Sequence, residues 1–264
     1  MPELPDVEVF KRYVDSTALH QTINAVSVKS RQILRGVSPQ TLVQKLQGHQ
    51  LASSRRHGKL LFLQLAEHGG SLVLHFGMTG FLKYCKDGET MPPHTRLLLG
   101  FAYGAYLAFD CQRMLGEVAF AADDRAYIEA RGLGPDALQL EWEPFKERMA
   151  TKRNSIKAAL MDQGLMAGIG NIYSDEILFQ VRLHPYTAVN KLSEERLHQI
   201  YKTMKAVLVQ AIQYQVDPTR MPQSWLLPHR DPRGQCPSCG EALVRDKVNQ
   251  RSAYLCPHCQ KQNA

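Results

Sequence analysis

The sequence lacks any apolar run long enough to cross a membrane. Its longest, LLFLQLA and SLVLHFGM, are strand-sized and broken by polar residues, well short of the ~20 residues that a spanning helix needs. A basic, apolar start of the kind that directs secretion is also missing, so the expectation is a soluble cytoplasmic protein, nucleoid-associated if it binds DNA. No internal repeat or low-complexity segment occurs. Cysteine is sparse outside the tail: of six, only Cys85 and Cys111 precede residue 236. Without a secretory signal, that pair reads as reduced thiols and not as a disulfide. Acids are short of bases, 25 against 32, which gives a formal charge of +7 and a pI near 9.1. Such a surplus favours a polyanionic partner, nucleic acid ahead of an anionic membrane, although a solvated basic surface fits the charge equally well.

What is present is an ordinary globular composition, 44% hydrophobic over 264 residues, enough for one large domain or two modest ones with real cores. Residues 1–20 read as an amphipathic helix with Asp6, Val7, Phe10 and Val14 on one face. Pro5 suits the first turn of that helix, where a missing N–H costs nothing, whereas the helix gives no reason for Pro2. From about 24 to 121 the chain turns to short runs: AVSVK, GKLLFLQLA, SLVLHFGM, GFLKYC, TRLLLGFA, AYLAFDC and GEVAFA. Strands at this spacing predict an all-β sandwich or barrel. The Gly-, Pro- and acid-rich stretch RGLGPDALQLEWEP (131–144) marks a domain boundary. Beyond it NSIKAALMDQ, the stretch after GIGN, and SEERLHQIYKTMKAVLVQAIQ predict helices, the last capped by Ser193.

The tail carries C-P-S-C-G and C-P-H-C, that is Cys236, Cys239, Cys256 and Cys259. Two such knuckles complete a tetrahedron of thiolates, and Zn²⁺ suits four sulfurs and can hold a module too small for its own core. His258 is a spare ligand at best. The gap between the knuckles is long enough for a β-hairpin, and residues 230–264 carry a charge of +3. A basic zinc-stapled hairpin fits either a nucleic-acid contact or a plain structural clip.

Taken together, PELPDVE at the start, RRHGKLLFL (55–63), MDQGLMAGIGNIYSDEILF (161–179) and the four-cysteine tail resemble the formamidopyrimidine-DNA glycosylase and endonuclease VIII family of base-excision repair. HFGMTG (75–80), PPHTR (92–96) and LGPDAL (133–138) also look like landmarks of that family, and PELP leans toward its formamidopyrimidine branch. The resemblance implies an α+β multidomain fold. Residues 1–133 would form a catalytic domain of an N-terminal helix plus β-sandwich, 134–230 a helix–two-turn–helix DNA-binding domain, and 231–264 a zinc-finger hairpin. It implies a DNA glycosylase with abasic-site lyase activity, one structural zinc, and damaged or abasic double-stranded DNA as the partner of a monomer, with no membrane.

It also implies site residues. Pro2, freed by removal of Met1, would be the nucleophile, a secondary amine that forms an iminium with the sugar. Glu3 would be its acid–base partner, and Lys59 would sit on a strand facing the active site and assist base loss. Asn171 would hold the phosphate beside the lesion, with Arg251 on the finger contacting the same phosphates and assisting δ-elimination. Met78 matches a wedge that fills the hole left by the everted nucleotide. His94, Arg153 and Lys152 match phosphate contacts.

Two stretches depart from the family pattern. The segment D-C-Q-R-M-L-G (110–116) lacks the usual phenylalanine, leaving Arg113 as the matching arginine and Met114 or Leu115 as the stack-filler. The connection QVDPTRMPQSWLLPHRDPRGQ is shorter than the glycine-rich loop that closes over an oxidised purine. Formamidopyrimidines or oxidised pyrimidines are therefore expected to be handled better than 8-oxoguanine. The alternatives are a pyrimidine-specialised or mainly abasic-site enzyme of the same family, and a non-catalytic damaged-DNA-binding protein. The presence of Pro2, Glu3 and Lys59 argues against the last.

Overall fold

Pro5 falls in the first turn of helix α1 (Leu4–Thr17), where its lack of an N–H is tolerated. In this computed structural model, which describes residues 1–67, 69–248 and 250–261, the chain divides into two units. Met1–Pro2 and Asp6–Arg131 make up the first, and Glu3–Pro5 with the chain from Gly132 onward the second. Among the described residues, no helix is long and apolar enough to cross a membrane.

After α1 the first unit runs β1 (Ala25–Val28), α2 (Pro39–Leu46), β2 (Leu51–His57), β3 (Leu60–Leu65), β4 (Ser71–His75), β5 (Phe81–Cys85), β6 (Thr95–Gly100), β7 (Tyr106–Asp110), β8 (Glu117–Ala121) and α3 (Asp124–Ala130). The strands form two four-stranded antiparallel sheets, β1-β6-β7-β5 and β2-β3-β4-β8. Alternate residues of each sheet meet in one core: Leu61, Leu63, Leu72 and Leu74 from one, Leu97, Leu99, Leu107 and Phe109 from the other. Val7 and Val14 of α1 close that core, and Phe10 packs on Phe76 with ring centroids 4.5 Å apart. Each fully buried leucine contributes roughly 1.5–3 kcal/mol. Cys85 and Cys111 are free thiols in the interior. Strand β2 escaped the sequence pattern because LASSRRH is mostly polar. It is held by ladder bonds to β3, not by an apolar face.

The second unit adds α4 (Trp142–Ala150), α5 (Ile156–Met161), α6 (Asn171–Gln180), α7 (Glu194–Gln213) and the hairpin β9 (Val244–Val248) and β10 (Arg251–Leu255). Helix α7 buries Leu197, Ile200, Met204, Leu208 and Ala211, and the Ser193 hydroxyl accepts from Arg196 N–H at 3.2 Å as its N-cap. The helix ends where Gln215 (φ 55°) and Val216 (φ 59°) turn left-handed and donate back to Ile212 and Ala211 carbonyls. Helix α6 is different, because residues 173–179 are all buried, Ser174, Asp175 and Glu176 included. A helix buried all round needs a partner for every polar group it carries. Those partners define the site.

Candidate active site and nucleic-acid interface

Glu3 is wholly buried, 0% exposed, and its carboxylate sits on the N-terminus of α6. It accepts from the backbone N–H of Gly170 at 2.6 Å, Ile172 at 2.8 Å and Tyr173 at 3.3 Å. These are N–H groups that a helix start leaves without partners, and the helix dipole favours an anion there. Glu3 therefore caps α6. Gly168 (φ +123°) permits this docking: a Cβ there would lie 2.5 Å from the Leu4 side chain, and Leu4 N–H donates to the Gly168 carbonyl. Asn171 is the first residue of the same helix, and its Oδ1 is buried with no hydrogen-bond partner among the described residues. An amide end that is buried and unused is suited to a ligand.

Behind this helix end lies a charged cluster that sequence reasoning missed. Lys157, fully buried on α5, donates to the Asp175 carboxylate at 2.5 Å, to Ser174 Oγ at 2.9 Å and to the Asn171 carbonyl at 3.3 Å. Asp175 also accepts from Arg230 Nη2 at 2.9 Å and from the Tyr254 N–H of β10 at 3.1 Å. Burial lowers the Lys157 pKa and the Asp175 carboxylate opposes it. One carboxylate thus ties α5, α6, the connection after α7 and the finger hairpin together. The only signal in the sequence was three polar residues in the middle of an otherwise apolar segment.

Glu176 anchors the same connection. Its carboxylate accepts from Leu226 N–H at 3.2 Å and Leu227 N–H at 2.8 Å, and burial raises its pKa from 4.5 to about 7 against the pull of those bonds. The folded chain therefore holds a proton between these values that the unfolded chain has released, and stability falls as pH rises through that window. Above the upper value the loss is complete. Glu176→Gln is expected to flatten this part of a Tm-against-pH profile, and an unchanged slope would assign the pH dependence to another group.

In the first unit, Lys59 stands in the two-residue turn between β2 and β3, next to Gly58 (φ 54°), and not on a strand. The reason is register: His57 pairs with Leu60, which leaves only Gly58 and Lys59 to reverse the chain. Arg56 fixes that turn, donating to the Gly58 carbonyl at 3.3 Å and to Glu8 of α1 at 2.9 Å. His75 lies opposite Leu60. Burial, with the charges of Lys59 and Arg131 adding and Glu117 opposing, lowers its pKa and keeps the ring neutral. Its Nδ1 accepts from Gly77 N–H at 3.3 Å, which leaves Nε2–H as a donor. His75 was named only as part of a landmark, and its burial is what distinguishes it.

Met78 is exposed on the loop after β4, and the 111–116 loop lies beside it. Arg113 N–H donates to Thr79 Oγ1 at 3.3 Å, and a Cβ on Gly77 would lie 2.3 Å from the Leu115 backbone. Met114 (φ 50°) contacts Ser30 and is 38% exposed, while Leu115 is 50% exposed. His94 is half-buried, its N–H held by Asp110 at 2.7 Å. In the second unit Lys152 pairs with Asp162 at 2.8 Å, and Arg153 is exposed without an ion pair among the described residues.

Arg251 is exposed at the start of β10, at the end of the hairpin away from the cysteines. The four cysteine sulfurs lie within 4.8 Å of one another, and three of the separations are 3.6, 3.6 and 3.8 Å. A tetrahedron of Zn–S bonds of about 2.3 Å has edges of about 3.8 Å. The sulfur set therefore fits one structural zinc and is far too wide for disulfides. His258 is not part of the set.

Comparison with known proteins agrees with this geometry. Residues 1–118 match the formamidopyrimidine-DNA glycosylase N-terminal domain, residues 132–222 its H2TH domain and residues 235–262 the zinc finger found in FPG and IleRS. The chain is 32% identical to the formamidopyrimidine-DNA glycosylase of Carboxydothermus hydrogenoformans, over 99% of this chain and 100% of that protein. It is 33% identical to that of Synechocystis, over 98% of each. The Lactococcus lactis formamido-pyrimidine DNA glycosylase, solved non-covalently bound to AP-site DNA, superimposes with a TM-score of 0.88 at 25% identity, covering 98% of this chain and 100% of that one. The likeness spans both units and the finger, and the chain belongs to the formamidopyrimidine-DNA glycosylase family.

Proposed function

We propose that this chain is a DNA glycosylase and abasic-site lyase of base-excision repair that works as a monomer on damaged double-stranded DNA in the cytoplasm, with Pro2 as its nucleophile. Residues 1–133 carry the amine, 134–230 hold the backbone, and 231–264 clamp it. Once Met1 is removed, the Pro2 nitrogen attacks C1′ of the damaged nucleotide and the bond to the base breaks. The resulting iminium acidifies the C2′ proton. Loss of that proton expels the 3′ phosphate, and a second elimination expels the 5′ phosphate. Glu3 protonates the opening sugar oxygen and relays protons afterwards. Lys59 assists base loss, Asn171 and Arg251 hold the phosphates beside the lesion, and His94 and Arg153 contact the backbone further out. His75 joins them as a neutral donor. The observation that carries the reading is Glu3 fixed on the N-terminus of α6, the helix that Asn171 begins.

Substrate choice follows from two loops. Met78 and Leu115 fill the vacated stack, Leu115 ahead of Met114 because it is the more exposed of the two, and Arg113 faces the opposite strand. The connection after α7 buries Met221, Trp225 and Leu226 and is tied down by Glu176, so little chain remains to close over an oxidised purine. Formamidopyrimidines are the preferred substrates and 8-oxoguanine a poor one. Sodium borohydride is expected to trap the chain on abasic-site DNA with the adduct at residue 2 by mass spectrometry, and single-turnover excision to be faster for formamidopyrimidine than for 8-oxoguanine. An adduct on a lysine would remove Pro2 from the mechanism.

A further inference from the structure

At the C-terminal end of α6 the second unit opens a cavity of about 540 Å³ lined by Arg182, Lys191, Arg196, His258 and Lys261, with no Asp or Glu among the described lining residues. None of these bases has an ion pair among the described residues. Two acids open α7, Glu194 and Glu195; neither lines the cavity, and Glu194 is engaged by Lys146 at 3.1 Å. Arg196 is held in place by the Val181 carbonyl at 3.1 Å. Like charges gathered in a concavity repel one another, and an anion relieves that cost.

This cavity is separate from the residues proposed to hold DNA. Asn171 begins α6 and Arg182 follows its end, and ten helical residues span about 15 Å. Arg251 and the second cysteine knuckle lie at opposite ends of β10, a strand of roughly 16 Å. The wall of the cavity is not purely basic either: Leu183 and Leu192 line it, with the hydroxyls of Thr187 and Ser193, and Cys259 of the zinc set forms its edge. Nucleic acid would call for an open basic track with aromatic faces for its bases, and His258 is the only ring among the described lining residues. Arginine forks and lysines beside an apolar patch match carboxylates that flank an apolar side chain.

We propose that this cavity is a docking site for an acidic peptide segment of a partner protein, with an apolar side chain seated on Leu183 and Leu192. The test uses a fluorescein-labelled peptide of aspartates followed by two leucines, titrated by anisotropy into the zinc-loaded chain already saturated with abasic-site DNA. The peptide is expected to bind the DNA-loaded chain. Binding should weaken about tenfold in the Arg182→Glu/Lys191→Glu variant, whose two positions lie outside the finger and whose DNA affinity and zinc content stay unchanged. A peptide with serines for leucines should also bind more weakly. Absence of binding, equal binding by the variant or by the serine peptide, or displacement of the peptide by excess undamaged duplex would overturn the proposal, the last by making the cavity a second nucleic-acid contact.

Discussion

Glu3→Gln is expected to slow base excision by about 10²- to 10⁴-fold, the range for losing a positioned acid–base group. The substitution preserves size and removes charge, so two effects must be separated. The carboxylate accepts three backbone N–H groups at the start of α6. Glutamine has one oxygen to offer them and would turn its own NH₂ toward a donor. Hydrogen bonds to charged groups are worth about 1.5–3 kcal/mol each, so stability falls as well. About 1 kcal/mol shifts the Tm of a chain this size by roughly 2–4 °C, whereas excision should fall by orders of magnitude at temperatures where the variant is still folded. Single-turnover excision and thermal melting on one preparation separate the two. A lowered Tm with normal excision would reduce Glu3 to a cap for α6.

The second large effect is expected on removing zinc. A two-stranded hairpin is marginal in water, and β9 and β10 are a two-stranded sheet. The core beneath them includes Phe179, Leu226, Leu243 and Tyr254 together with Cys236 and Cys256. Structural zinc contributes about 10–16 kcal/mol to folding in small fingers, far more than so small an apolar cluster supplies. Cys239→Ser, or exhaustive chelation, should abolish stoichiometric zinc and release the hairpin. The consequence reaches inward, because Tyr254 N–H is one of the donors to Asp175 and the Arg230 guanidinium stacks 4.7 Å from the Tyr254 ring. Affinity for abasic-site DNA should fall, and the salt dependence of binding should flatten by about one counterion for each phosphate that the finger no longer neutralises. Metal analysis beside a salt titration checks both. Full affinity without metal would mean that the finger takes no part in holding DNA.

By itself the sequence determined what is local or spaced by chemistry. Cysteine pairs with two residues between them state a metal site wherever the chain folds, Ser193 followed by acids states a helix start, and alternating apolar runs state the strands of the first unit. The order of the motifs, from PELP to the tail, was enough to indicate the family. What it could not state was what each charge faces. Glu3 and Gly170 are 167 residues apart, Lys157 and Asp175 are 18 apart on different helices, and Arg230 reaches Asp175 from the far side of α7. A buried charge is tolerable only beside its partner, and the partner is chosen by how helices and loops pack, not by neighbours in the chain. The same packing put Lys59 in a turn, made β2 a strand despite its polar residues, and gathered five basic groups around one cavity at the end of α6. Those arrangements exist only in the folded protein, because only there do backbone donors, opposite charges and apolar walls converge from distant parts of the chain.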